Sequence, residues 1–165
     1  MRKPKGSYVR NSPDWFIHRM MSGSLVVGLK SGFYTYIGLQ NNDSVGRYLY
    51  LHGLRFSHLT GTDGCYFGLL QTSALGGFEP AVPLDPLVPA GPGQVGSFYS
   101  ATSILGGKTQ TVFSNAQLGS AASAEYEWQH DWPIATIPPG WAAVLQTQGL
   151  GEDLFASFWW FAAEK

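Results

Sequence analysis

His52 and His58 are the first residues whose type could carry chemistry, because imidazoles bind metals and move protons near neutral pH. They lie six residues apart on a strand-like run, Arg47 to Leu59. At the strand rise that spacing separates them by roughly 20 Å, too far for one metal unless Gly53 bends the strand sharply. The chain has no His-x-His with a nearby glutamate, the ligand pattern of a metal-binding cupin barrel. Both histidines read as structural. Glu125 and Glu127 alternate onto one strand face beside His130 and Asp131, and paired carboxylates can perform acid–base work on a sugar when their environments differ. A half-exposed strand needs the same alternation, with Tyr126 and Trp128 turned to the core, so a solvated outer face is the preferred reading.

Cys65, the single cysteine, sits before Tyr66 and Phe67 and reads as a small buried hydrophobe rather than a reactive thiol. Being alone, it excludes an internal disulfide. Asn41-Asn42-Asp43 matches a calcium loop in composition only, without an acidic ligand at the closing position. No Gly-x-Ser-x-Gly elbow, phosphate loop or His-Glu-x-x-His occurs. The sequence therefore predicts no catalytic, metal or cofactor site. The six tryptophans, Trp15, Trp128, Trp132, Trp141, Trp159 and Trp160, could form a platform for stacking sugars. Core and subunit interface, where tryptophan is also enriched, are the preferred alternative.

The elements that must position these residues are strands. One domain fits 165 residues. Strand signals cover Leu25 to Leu29, Phe33 to Gln40, Arg47 to Leu59, Cys65 to Gln71, Phe98 to Ile104, Thr109 to Ser114, Ala121 to Trp128, Ile134 to Ile137, Trp141 to Thr147 and Leu154 to Phe161. In the third of these, Tyr48, Tyr50, His52, Leu54, Phe56 and His58 share a parity, and Gly53 marks a bulge or bend. Residues 72–96 carry Gly76-Gly77, Pro80, Pro83, Pro86, Pro89 and Gly91-Pro92-Gly93, which predicts a long ordered loop without a regular ladder. Many short strands with turn chemistry between them call for a single all-β antiparallel sandwich of jelly-roll type over residues 24–165.

Leu154 to Ala163 (LFASFWWFAA) has large apolar side chains on both parities. Successive strand residues face opposite ways, so one face can fill the core and the other needs a further layer, from this chain or from a neighbouring copy. Trp141, Phe155, Trp159, Trp160 and Phe161 are accordingly the candidate oligomer interface. Charged residues are only 13% of the chain, about half the usual share, which again points to covered faces.

Net charge is −1, which gives no argument for bulk nucleic-acid binding. The charge is uneven nonetheless. Arg2, Lys3, Lys5, Arg10 and Arg19 supply half of the 10 basic residues, while residues 121–165 hold six acids against Lys165. Residues 1–23 therefore read as a basic arm lying on a partner or free in solvent, with Arg2, Lys3, Lys5, Tyr8, Arg10, Trp15 and Phe16 as its contact residues. Trp15 to Met21 could form one helical turn after Ser12-Pro13-Asp14. The start lacks the apolar stretch of a signal peptide, and no apolar run reaches the ~20 residues that cross a bilayer. A soluble protein made in a cytoplasm, with neither nucleic acid nor membrane as partner, is the expectation.

The run Trp132-Pro-Ile-x-x-Ile-Pro-Pro-Gly-Trp141, followed by Val144-Leu-Gln-Thr147 and Ser157-Phe-Trp-Trp160, resembles jelly-roll virion proteins of tailed bacteriophages. It is also similar to the trimeric jelly rolls of the tumour-necrosis-factor and C1q type, which share a late hairpin. The basic arm, with no disulfide or signal peptide, favours the phage likeness. That resemblance implies a head decoration or minor capsid protein. Such a subunit would be a homotrimer that contacts the major capsid protein, resides in the virion and is assembled in the host cytoplasm. No catalytic residue carries over. A carbohydrate- or receptor-binding module of a tail or fibre is the alternative, and a cupin-like or glycan-processing enzyme comes third.

Overall fold

The structure, a computed structural model, describes residues 21–58, 65–74, 79–81, 96–103, 116–118, 126–129 and 133–164. Eleven strands are present among them: β1 (Met21–Val27), β2 (Tyr34–Gln40), β3 (Tyr48–Ser57), β4 (Cys65–Gln71), β5 (Glu79–Ala81), β6 (Ser97–Ser103), β7 (Ala116–Leu118), β8 (Tyr126–Gln129), β9 (Ala135–Ile137), β10 (Trp141–Thr147) and β11 (Leu154–Ala163). The described residues contain no α-helix, only one 3-10 turn at Thr72–Ala74.

Two antiparallel sheets pack face to face. The first runs β1-β11-β3-β8, with β9 also paired to β3, and the second runs β5-β6-β2-β10-β4-β7. Antiparallel pairs nest from the outside of the chain inward: β1 with β11, β2 with β10, β3 with β8, β4 with β7. Cross-pairs β11–β3 and β10–β4 join them within the two sheets. A long hairpin rolled upon itself in this way is the jelly-roll arrangement, so the sandwich expected from the sequence is the fold observed. Strands β5 and β6 widen the second sheet beyond β2.

Between the sheets lies one apolar core. Leu25, Leu49, Leu51, Leu54, Phe56, Leu154, Ala156, Phe158 and Trp160 enter it from the first sheet, facing Ile37, Leu39, Phe67, Phe98, Ala143 and Leu145 from the second. Phe98 meets Phe158 and Trp160 edge-on, with ring centroids 5.7 and 5.8 Å apart, the T-shaped geometry that aromatic quadrupoles favour. On the outer side of the second sheet a separate buried cluster joins Tyr36, Leu70, Ala101, Ala142 and Val144. Apolar side chains on both parities of β2 and β10 explain why these strands sit in the middle of their sheet.

Several expectations shift. Strand β1 begins at Met21, not Leu25, because Met21, Gly23, Leu25 and Val27 take the core parity and Ser22 and Ser24 the outer one. Three residues assigned to the arm therefore belong to the sheet, and Met21 is extended rather than helical; residues 1–20 lie outside the described residues. Within 72–96 the expected break in the ladder is incomplete. Strand β5 pairs with β6 and includes Pro80, which is tolerated because β5 is the outermost strand. Strand β7 was not expected, and the strand expected over Thr109 to Ser114 lies outside the described residues.

In β3 the pairing with β11 steps from Trp159↔Gly53 to Trp160↔Leu51, leaving His52 as an extra residue. This bulge reverses the parity. Tyr50 is opposite Phe161 on the outer side, whereas Leu54, Phe56 and His58 face inward. The shared face expected for all six even positions is thus split in two, while the bulge expected at Gly53 is present.

The Pro138-Pro139-Gly140-Trp141 turn is fixed from both sides. Trp141 N–H donates to the Pro138 carbonyl at 3.1 Å and Gly140 has φ +77°, a backbone region that favours glycine. Asn41, buried at the end of β2, donates its Nδ2 to the carbonyls of Ile137 (2.9 Å) and Arg47 (2.8 Å) and accepts Asp43 N–H at 3.0 Å. Asp43 in turn pairs with Arg47 at 2.9 Å, and that guanidinium holds the Asp43 carboxyl below its usual range. The Asn41-Asn42-Asp43 cluster is a turn that organises its neighbours.

Candidate functional site

The outer face of the first sheet is built from alternate residues of β1, β11 and β3. One row reads Ser22, Trp159, Gly53 across the strands; the next reads Ser24, Ser157, Arg55; a third reads Val26, Phe155, Ser57. Ser24 and Ser157 share a hydroxyl hydrogen bond at 2.7 Å, tying β1 to β11 on this side. Trp159 lies across Gly53: a Cβ built on that glycine would stand 2.7 Å from Trp159 Cε3. Only glycine leaves the indole room to lean over the neighbouring strand, which explains Gly53 better than the bend alone.

Of the five expected interface residues, the structure leaves three partly exposed, two of them on this outer face. Phe155 and Trp159 are half-buried on the outer face. Trp160 is 1% exposed and belongs to the core. Phe161, on the outer parity, is also 1% exposed, with Tyr50 stacked on it at 5.1 Å and His52 tilted against it at 5.0 Å. Trp141 packs partly buried against the core. The further layer that the two-sided pattern of β11 requires is thus partly supplied within one chain, and Trp160 and Phe161 are withdrawn from the surface. Burial raises the Tyr50 hydroxyl above its usual range, with Tyr48 adding to it.

A second arrangement has the outline of a catalytic dyad. His58 Nδ1 lies 2.6 Å from the Asp153 carbonyl oxygen, and His58 Nε2 lies 3.4 Å from Cys65 Sγ. A carbonyl can only accept, so Nδ1 carries a proton, and the thiol lies within hydrogen-bond reach of the other ring nitrogen. The geometry of nucleophile, base and orienting oxygen is present, but the chemistry is reversed. Cys65 is fully buried, and burial followed by the Glu152 carboxylate pushes its thiol well above 9.0. A cysteine nucleophile needs a lowered pKa and access. His58 and Cys65 instead stitch β3 and β4 to the start of β11. No signal in sequence joins residues 58 and 153, since only the rolled topology brings them together.

That raised thiol has a consequence for stability. The unfolded chain ionises Cys65 near 9.0 while the folded chain keeps it protonated, so the fold loses stability as pH rises past that value and keeps it below. Urea unfolding between about pH 8 and about pH 10 should show a steeper decline for the native chain than for Cys65→Ala. Equal declines would remove Cys65 from the explanation.

The remaining expected residues are placed as follows. His52 and His58 fall on opposite sides of the sheet, and no three potential metal ligands converge among the described residues. Glu127 is in register opposite Arg55. Glu125, His130, Asp131, Trp132 and the arm residues Arg2, Lys3, Lys5, Tyr8, Arg10, Trp15 and Phe16 lie outside the described residues, as does most of 72–96. Sequence reasoning missed the exposed apolar side chains of two turns, Leu29 and Leu150. Their signal was present in Gly-Leu-Lys-Ser-Gly and Gly-Leu-Gly, where a leucine stands inside a glycine-rich turn.

Compared with protein-family models, with curated proteins and with solved structures, the chain finds no match.

Proposed function

We propose that the chain is a non-enzymatic virion structural protein, a capsid decoration or minor capsid subunit that forms a homotrimer and seats on the major capsid protein. The observation that carries this reading is the outer row of β11, where Phe155 and Trp159 are only partly buried on a sheet of paired strands. A building block needs a scaffold that does not change shape and aromatic anchors that add contact area at little entropic cost. The jelly roll supplies the first and this row the second. The basic residues of 1–20 give the subunit a means of gripping an acidic lattice surface. In this reading the protein resides in the virion and is assembled in the host cytoplasm.

The double variant Phe155→Ser/Trp159→Ser should dissociate the trimer to monomers in light scattering, weakening self-association at least about tenfold, since two anchors of this kind dominate an interface. Its far-UV dichroism should stay that of the native chain, which separates loss of the trimer from loss of the fold. Trimers that persist unchanged would overturn the assignment of the interface. Removing residues 1–19 should abolish co-pelleting with purified capsids, and retained attachment would overturn the role of the arm. A glycan array is the counter-test, because specific binding there would replace the decoration reading with that of a receptor-binding module.

A further inference from the structure

We propose that the end of the sandwich formed by the β1–β2 and β10–β11 turns is a lipid-contact surface, which seats Leu29 and Leu150 shallowly in the interface of a bilayer bearing anionic headgroups. Four large apolar side chains are strongly exposed among the described residues, and three of them lie at this end: Val26 at 46%, Leu29 at 48% and Leu150 at 53%. Val26 is the last outward residue of β1, and the two leucines crown adjoining turns. The turns are bound to one another, because Gly151 N–H donates to the Phe33 carbonyl at 2.8 Å and a Cβ on Gly151 would touch Ser31 at 3.6 Å.

Both turns are held rigid. Phe33 N–H closes back on Lys30 at 3.0 Å, with Gly32 at φ +78°. Thr147 Oγ1 donates to the Gly149 carbonyl at 3.0 Å, and Gly149 N–H donates to Glu152 Oε2 at 3.1 Å. That last bond matters for charge. Glu152 and Asp153 follow the exposed leucine after one glycine, yet both are buried, so neither acid is presented beside it. The one charge carried by residues 28–33 and 148–151 is Lys30, exposed, with Nζ 4.0 Å from the Phe33 ring centroid.

The occupant follows from area and charge. A stable protein interface buries about 800 Å² on each partner, and three half-exposed aliphatic side chains fall far short of that. Two copies meeting end to end would set Lys30 against Lys30, because the two carboxylates of these turns, Glu152 and Asp153, are buried and not presented to a second copy. A bilayer interface asks for no matching contour. It accepts aliphatic side chains at the boundary of headgroups and acyl chains, while a lysine stem lies along that boundary with its ammonium among anionic headgroups. Insertion of this kind needs no membrane span, so the absence of a long apolar run in the sequence does not bear on it.

Co-sedimentation of the full chain with vesicles of phosphatidylcholine, alone and mixed with phosphatidylglycerol, tests the proposal. The native chain should bind the mixed vesicles, and Leu29→Ser/Leu150→Ser should lower that binding at least about tenfold. Lys30→Gln should weaken binding to the mixed vesicles about fivefold and leave binding to phosphatidylcholine unchanged. Val45→Ser, on the β2–β3 turn at the other end and 79% exposed in the native chain, should bind as the native protein does. No vesicle binding by the native chain, or native-like binding by the leucine double variant, overturns the proposal. So does loss of self-association in the leucine double variant without any vesicle binding, which would make this end a protein contact. Failure of the trimer test above leaves these outcomes unaffected, because the residues differ.

Discussion

Replacing Trp160 with alanine should lower the free energy of unfolding by about 3–5 kcal/mol, read from urea curves by intrinsic fluorescence or far-UV dichroism. Its indole is sealed between the sheets, edge-on to Phe98, and its Nε1 edge lies 3.0 Å from where a Cβ on Gly96 would stand. Nothing close by can collapse into the space it vacates, because Phe158, Leu39 and Phe98 are held by their own strands. Trp159→Ala, one position earlier and on the opposite face, should lose less than half as much, since half-buried side chains leave no sealed cavity. Equal losses at the two positions would mean that the parity of β11 is wrong.

Gly96→Val should cost about 2–6 kcal/mol, the sum of two penalties. Gly96 has φ +118°, a conformation that costs a non-glycine residue about 1–3 kcal/mol. Its added side chain would also meet Trp160 and the Leu39 Cδ1 at 3.2 Å, an overpacking that costs about 1–3 kcal/mol. The Trp160 fluorescence maximum should shift as the ring is displaced. A stable Gly96→Val protein with an unchanged emission spectrum would contradict the seating of Trp160 on this glycine. Two consecutive tryptophans that face opposite ways thus each rest on a distant glycine, Trp159 on Gly53 and Trp160 on Gly96.

The fold class was legible in the sequence because turn chemistry and strand runs recur at short spacing, and β4 and β10 are found with the bounds read for them. Strand β1 was displaced because Ser22-Gly23-Ser24 looks like a turn when read alone, and only pairing with β11 makes it a strand. The bulge at Gly53 was legible, but its effect was not, since a single inserted residue inverts every parity argument beyond it. The candidate surface was legible in part. A two-sided apolar run shows that both faces of β11 are covered, but it does not say which atoms do the covering. For Phe161 they come from Tyr50 and His52 on the adjacent strand, a contact invisible without the register. Likewise nothing in the sequence shows that Glu152 and Asp153, two of the six acids counted over residues 121–165, are folded inward by the β10–β11 turn.

The nesting of strand pairs also dictates how the molecule can be made. β11 lies between β1 and β3, and β10 lies between β2 and β4, so the latest-synthesised pair forms the middle of each sheet. Until Trp141 to Ala163 leaves the ribosome tunnel, β1 and β3 have no common neighbour, nor do β2 and β4. A nascent chain halted before that point holds separated ribbons with open edges instead of a smaller sandwich. Acquisition of structure is therefore deferred until β10 and β11 have been synthesised, and termination before them yields an aggregation-prone product rather than a truncated working one.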